Sequence, residues 1–165
     1  MTAKEIQSNF IKNYLKPTLK KYAYKTSGQT WWKDKGEFYI LINLQNYSWN
    51  GKERVDFCFN IGIVVKRDSI ADKNPTVHDL TVYLREGFYL PDQRKEYLYR
   101  NKSGYTLTND VIQNEFLSEI EIDFEQYILP YLENLQTLRD CLYSFGEIAF
   151  WGEKLREAIN DIEKK

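Results

Sequence analysis

The sequence predicts an α+β fold: an N-terminal helix, an antiparallel sheet of four or five strands, and C-terminal helices packed on the sheet's apolar face. Three observations carry this. Residues 36–65 hold two runs of alternating apolar and polar side chains on either side of Asn50-Gly51, a strong hairpin signal. Residues 6–15 and 112–132 repeat their apolar positions at helical spacing instead. No run of 18 apolar residues interrupts either pattern, and 16% aromatic with 28% charged residues excludes a disordered chain.

Thr2-Ala3-Lys4-Glu5 reads as a capping box that opens the first helix. Ile6, Phe10, Tyr14 and Leu15 form its buried stripe, while Lys4, Lys12, Lys16 and Lys20 form a solvated face. Pro17 predicts a kink or a restart, because it offers no N–H and crowds the preceding turn. A strand over 29–33 follows, then a turn at Asp34-Lys35-Gly36 with Gly36 in the left-handed position of a three-residue loop. Pairing Lys33 with Glu37 sets Trp32 opposite Phe38 on the core face and Trp31 opposite Tyr39 on the outer face.

The central hairpin joins strands 37–49 and 52–66. With Asn50 and Gly51 at the turn centre, Trp49 faces Lys52, Leu44 meets Phe57, Ile42 meets Phe59, Ile40 meets Ile61 and Phe38 meets Ile63. The outward face then carries Tyr39, Leu41, Asn43, Gln45, Tyr47 and Trp49 beside Lys52, Arg54, Asp56, Cys58, Asn60 and Gly62. Aromatic rings among hydrogen-bonding side chains match the composition of contact surfaces. Trp31, Tyr39, Asn43, Gln45, Tyr47, Trp49 and Arg54 are therefore the candidate binding residues. Asp56, close to Arg54, reads as an ion-pair partner and not as a catalyst.

Residues 67–79 form a polar loop whose composition favours disorder. Alternation resumes from Leu80 to Leu90, where Arg85-Glu86-Gly87 ends the strand or bulges it. Pro91-Asp92 is a turn and residues 96–100 a short edge strand. From Thr108, a candidate cap, Ile112, Phe116, Ile120, Phe124, Ile128 and Leu132 recur at steps of four, with a bend expected at Pro130. Thr137 caps a helix that Gly146 ends. Residues 147–164 make a last helix with Ile148, Trp151, Leu155, Ile159 and Ile162 inward. Residues 1–165 read as one domain, with a sheet core over about 29–100 and a helical part over about 108–164.

Several function classes are disfavoured. Net charge is −1, but residues 1–67 hold 12 Lys and Arg against 5 Asp and Glu, and the remainder reverses the balance. In one domain this predicts basic elements packed beside acidic ones. Without Arg-rich clusters, and with a pI near 5.9, no nucleic-acid partner is expected. A polar start and the lack of an apolar span predict no signal peptide and no membrane association, hence a cytoplasmic protein. Cys58 and Cys141 lie among apolar neighbours and read as core thiols; His78 is a lone loop residue. No metal site, cofactor or catalytic residue is assigned, since phosphate-loop, HExxH, GxSxG and CxxC patterns are absent. The balance is against an enzyme. The reading is a non-catalytic protein-interaction module with a protein partner, possible forms including immunity- or antitoxin-like proteins. The alternative is a small-molecule binder or enzyme, with a pocket between the polar-aromatic face and the acidic helices. Nothing in the sequence sets the oligomeric state.

A family resemblance rests on particular runs. Leu15-Lys16-Pro17-Thr18-Leu19-Lys20-Lys21, Tyr24-Lys25 and Trp32-Lys33 resemble the opening of the bacterial domain of unknown function 4304 family. Ile42-Asn43-Leu44-Gln45, Ser48-Trp49-Asn50, Phe57-Cys58-Phe59-Asn60-Ile61-Gly62-Ile63 and Ile128-Leu129-Pro130-Tyr131-Leu132 continue the likeness over about residues 5–140. Two departures stand out. Ala23 replaces the family's usual glycine at the end of the first helix, and Tyr97-Leu98-Tyr99 stands where a paired Trp motif is expected. The resemblance implies an α+β fold and no established activity.

Overall fold

The alternating runs of residues 38–65 do form the central hairpin, in a computed structural model that describes residues 1–67 and 73–164. β3 (Phe38–Asn46) pairs antiparallel with β4 (Arg54–Val65), but two residues away from the expected register. Phe38 faces Val65, Ile40 faces Ile63, Ile42 faces Ile61 and Leu44 faces Phe59. The cause is the connection, which is a loop over 47–53 and not a two-residue turn. Asn50 sits inside it and uses its side chain: Nδ2 donates to the Asp56 carbonyl and Oδ1 accepts from the Asp56 N–H, both at 2.8 Å. A shift of two keeps the parity of every side chain, so the apolar and polar faces stand as the alternation dictates.

The neighbouring hairpin differs by three residues, an odd number, and there parity is lost. β2 (Thr30–Asp34) sets Trp31 opposite Ile42 and Trp32 opposite Leu41. The connecting loop is tighter than expected. Lys35 N–H donates to the Phe38 carbonyl at 2.9 Å, leaving Gly36 and Glu37 as the central pair, with Gly36 at φ 91°. Trp31 therefore points into the core at 1% exposure, and Trp32 takes the outer face.

The sheet has seven strands among the described residues, more than the four or five expected. Its order is β1 (Lys25–Ser27), β2, β3, β4, β7 (Gly104–Thr108) and β6 (Arg100–Asn101). β5 (Val82–Arg85) pairs with the far end of β4, beyond β7. β1 and β6 are only three and two residues long, too short to show alternation. β5 approaches β4 closely: a Cβ at Gly62 would lie 1.7 Å from the Val82 carbonyl oxygen, so only glycine fits there. The polar loop expected over 67–79 lies partly outside the described residues. Within them, Thr76 opens a tight turn over Val77–Asp79.

Both prolines of the helical regions follow a wide π-helical turn. α1 (Ala3–Phe10) runs through such a turn over Ile11–Leu15 into α2 (Lys16–Lys21), with Lys16 N–H donating to the Ile11 carbonyl five residues back. α4 (Gln113–Ile122) runs through Asp123–Ile128 into α5 (Leu129–Glu133), and Leu129 N–H reaches Phe124 in the same way. The extra residue shifts the hydrogen-bond register ahead of Pro17 and Pro130, so each chain direction continues where a plain helix would break. It also explains the apolar spacing. Steps of four overshoot a 3.6-residue turn by about 40° each, and the wide turn takes up the drift, so Phe116, Ile120, Phe124, Ile128 and Leu132 are all buried.

Several caps hold. Thr2 with Glu5 and Thr137 with Asp140 form capping boxes on α1 and on α6 (Leu138–Phe145). Thr108 caps nothing, because it ends β7 and α4 starts only at Gln113. Ala23 occupies the left-handed conformation itself, at φ 70°. Its N–H donates to Lys20 and that of Tyr24 to Leu19, each at 2.9 Å, which is the paired bonding that a glycine ordinarily supports. α3 (Asp92–Lys95) is a single turn after Pro91, and α7 (Trp151–Glu163) is shorter than expected because Phe150 at φ 71° precedes it. The helices contribute Ile6, Phe10, Phe116, Phe124, Phe145 and Leu155 to the same apolar cluster as Ile40, Ile42, Phe57 and Phe59.

Candidate functional site

The outer face of β3 and β4 is built around Asp56. Its even-numbered position puts the carboxylate outward, where only 9% of the side chain remains exposed. Oδ2 accepts from Trp49 Nε1–H at 2.8 Å and from Arg54 Nε–H at 3.0 Å; Oδ1 accepts from the Thr106 hydroxyl at 2.6 Å. Thr106 reaches it because β7 pairs Thr106 with Asp56, a contact invisible until β7 is known. Burial pushes the Asp56 carboxyl up, but the bonds from Arg54, Thr106 and Trp49 outweigh it and hold the group below the usual carboxylate range.

These bonds fix an exposed ring. Trp49 is 64% exposed, yet its indole stacks on Tyr47 at 4.6 Å between centroids and 4° between planes. The Tyr47 hydroxyl donates to the Ser103 carbonyl and accepts from Arg85 Nη1 at 3.0 Å. Arg85 also reaches Cys58 Sγ. Burial pushes the Cys58 thiol up, which favours its neutral form.

Further along, side-chain amides bond one another. Asn60 Nδ2 donates to Asn43 Oδ1 and to Gln45 Oε1, each at 3.0 Å, and Asn43 Nδ2 donates to Thr30 Oγ1 at 2.9 Å. Asn43 and Gln45 are half-buried; both Asn43 amide atoms and the Gln45 carbonyl oxygen are taken up by this ladder. Tyr39 lies at the opposite end, under Lys66 Nζ at 4.6 Å from its ring, beside buried Leu41 and Val64. The candidate residues thus separate into groups. Tyr47, Trp49 and Arg54 converge with Asp56; Asn43 and Gln45 form a ladder between strands; Tyr39 belongs to a small apolar cluster. Trp31 is removed from this face, because the tight loop at Gly36 turned it into the core. The acidic helices pack on the other side of the sheet, where Phe116, Ile120 and Phe124 bury against the apolar face.

A second polar group was missed by the sequence reading. Asp123 is fully buried and accepts from Arg94 Nε–H at 2.8 Å, from the Tyr97 hydroxyl at 2.6 Å and from the Tyr105 hydroxyl at 2.8 Å. Arg94 also pairs with Glu119 at 2.8 Å. Nearby, buried Glu86 accepts from the Phe59 N–H, and Arg100 Nη1 stands 3.2 Å from it, close enough to pair but off the line of a hydrogen bond. Burial pushes the Glu86 carboxyl up in spite of Arg100. Neither acid has a pattern around it in sequence that would single it out; Arg94, Tyr97 and Tyr105 are gathered only by the sheet edge and α4.

The basic and acidic halves do meet, at Lys33–Glu133 and Arg67–Asp161. No described helix is long and apolar enough to cross a membrane. No curated protein and no solved structure shows significant similarity to the chain. The model of the family described as Domain of unknown function (DUF4304) matches residues 15–134, which spans α2, the whole sheet, α4 and α5 but not α1. By that match the chain belongs to the DUF4304 family.

Proposed function

We propose that the protein is a non-catalytic protein-interaction module of the bacterial cytoplasm, and that it docks a protein partner through Trp49, Tyr47 and Arg54. One observation carries the reading. Trp49 is mostly exposed but already immobilised, by a parallel stack on Tyr47 and an indole N–H bond to Asp56. An exposed aromatic held in one orientation meets a partner without the ordering cost that a free side chain incurs. Trp, Tyr and Arg are also the residues that most often dominate binding energy. An immunity- or antitoxin-like role is the concrete form of this reading, the docked partner being a toxin domain that the module blocks.

The test is affinity capture from native lysate, comparing the tagged protein with Trp49→Ala/Arg54→Ala. Both side chains are mostly exposed, so the double variant keeps its circular dichroism spectrum and loses only a few degrees of thermal midpoint with the two bonds to Asp56. Loss of one stoichiometric partner in the variant supports the reading. Retention of that partner sinks it.

A further inference from the structure

A cleft of about 600 Å³ lies between the N-terminal helical arm and the β1–β2 edge of the sheet, away from the Trp49 face. That volume falls in the range of small-molecule sites, roughly 300–1,000 Å³. Lys12, Lys16 and Lys20 border it from the helix at steps of four, Lys25 borders it from β1, and no acidic residue lines it. Among the described residues none of these four lysines is ion-paired, whereas Lys33, Lys66 and Lys73 all are. Four ammonium groups without an ion pair around one concavity raise the local concentration of anions.

The cleft's aromatic lining supplies an independent observation. Tyr24 and Trp31 both line it, at 5% and 1% exposure, and the Tyr24 hydroxyl and the Trp31 indole nitrogen are buried with no hydrogen-bond partner. Buried polar groups are nearly always satisfied, so two orphans lining one cleft require an explanation. Both are donors. An indole N–H can only donate, and burial keeps the Tyr24 phenol protonated well past neutral pH. What is missing is an acceptor, and lysines repel a cationic one.

We propose that this cleft binds a small organic oxyanion, a carboxylate or phosphate carried on a flat apolar body. The lysines neutralise the anionic head, the Tyr24 hydroxyl and the Trp31 indole N–H supply the donors its oxygens accept from, and the apolar part lies against Pro17 at the cleft wall. This site is separate from the Trp49 surface, so either can fail without the other.

The probe is phenyl phosphate, titrated into the ¹⁵N-labelled full chain and followed at the Trp31 indole N–H resonance. Saturable movement at sub-millimolar to millimolar concentration is expected, with affinity at least about tenfold above that of inorganic phosphate or phenol. Lys16→Glu/Lys20→Glu exchanges two exposed charges and should weaken binding by about tenfold or more while leaving the fold intact. Tyr24→Phe deletes an unsatisfied hydroxyl: the thermal midpoint should hold or rise, yet phenyl phosphate should bind several-fold more weakly. A merely structural tyrosine would show the reverse. The proposal is overturned if the Trp31 resonance stays still at ~10 mM phenyl phosphate, or if the charge-reversed variant binds as tightly as the parent. Tighter binding of a short single-stranded oligonucleotide than of phenyl phosphate also overturns it, since the row of lysines would then be tracking a phosphate backbone. Unchanged phenyl phosphate binding by Trp49→Ala/Arg54→Ala keeps this test distinct from that of the sheet face.

Discussion

Asp56 and Asp123 hold nearly the same chemistry in two different settings. Each carboxylate pairs with one arginine and accepts from two further donors: Trp49 and Thr106 at Asp56, Tyr97 and Tyr105 at Asp123. The difference is water. Asp123 is fully buried and Arg94 is 15% exposed, while Arg54 beside Asp56 is 63% exposed. A buried carboxylate with matched donors costs little when complete and a great deal when one partner is removed. At the sheet face solvent can replace what is lost, so the same bonds serve to orient Trp49 more than to hold the domain together. One cluster locks α4 to the sheet edge; the other holds a surface ready.

Removing each carboxylate tests that contrast directly. Asp123→Ala leaves the buried Tyr105 hydroxyl and the half-buried Tyr97 hydroxyl without their acceptor and Arg94 with Glu119 alone, and should cost about 3–5 kcal/mol in urea unfolding. Asp56→Ala loses the bonds to Trp49 and Thr106 near solvent, and should cost about 1–2 kcal/mol. The second variant should nevertheless disturb Trp49 more, seen as a red shift and faster quenching of its emission. Equal losses of stability would break the comparison, because the sheet-face cluster would then be structural too.

The fold was largely legible because alternation and helical spacing report burial, and burial is what the sheet and the helices need. The β3–β4 faces survive a register error of two because side-chain parity survives it. The β2–β3 hairpin does not survive an error of three, an odd shift, and Gly36 is the reason: it serves a two-residue loop as readily as a three-residue one, and the choice moves Trp31 from surface to core. The candidate site was legible in part. Tyr47, Trp49 and Arg54 come from one hairpin, whereas Thr106 and Arg85 arrive from strands that pair over long sequence distances and leave no local trace. Ala23 is a further case. The resemblance sets a glycine here as the expectation, and the structure adopts the left-handed conformation at φ 70° with alanine. Ala23→Gly should therefore stabilise the protein by about 0.5–1 kcal/mol, as relief of backbone strain exceeds the added chain entropy. A lower thermal midpoint for this variant would mean that the helix end is not strained.

Acid titration gives the smallest and most local effect. The Asp56 carboxyl is held below its unfolded value, so its stabilising share is complete above the ordinary aspartate pKa of about 3.9. That share is lost as pH falls through the lower, folded value. Protonation weakens the pairing with Arg54 and the acceptor strength toward Trp49 Nε1–H, so the Trp49–Tyr47 stack should loosen below about pH 4. The emission difference between the parent and Trp49→Phe isolates that indole from Trp31, Trp32 and Trp151. It should stay flat from neutrality down to about pH 4 and then change with one proton's steepness. In Asp56→Ala the same difference should show no such step. A step that persists there would assign the acid response to another group, and Asp56 would no longer be what keeps the exposed indole in place.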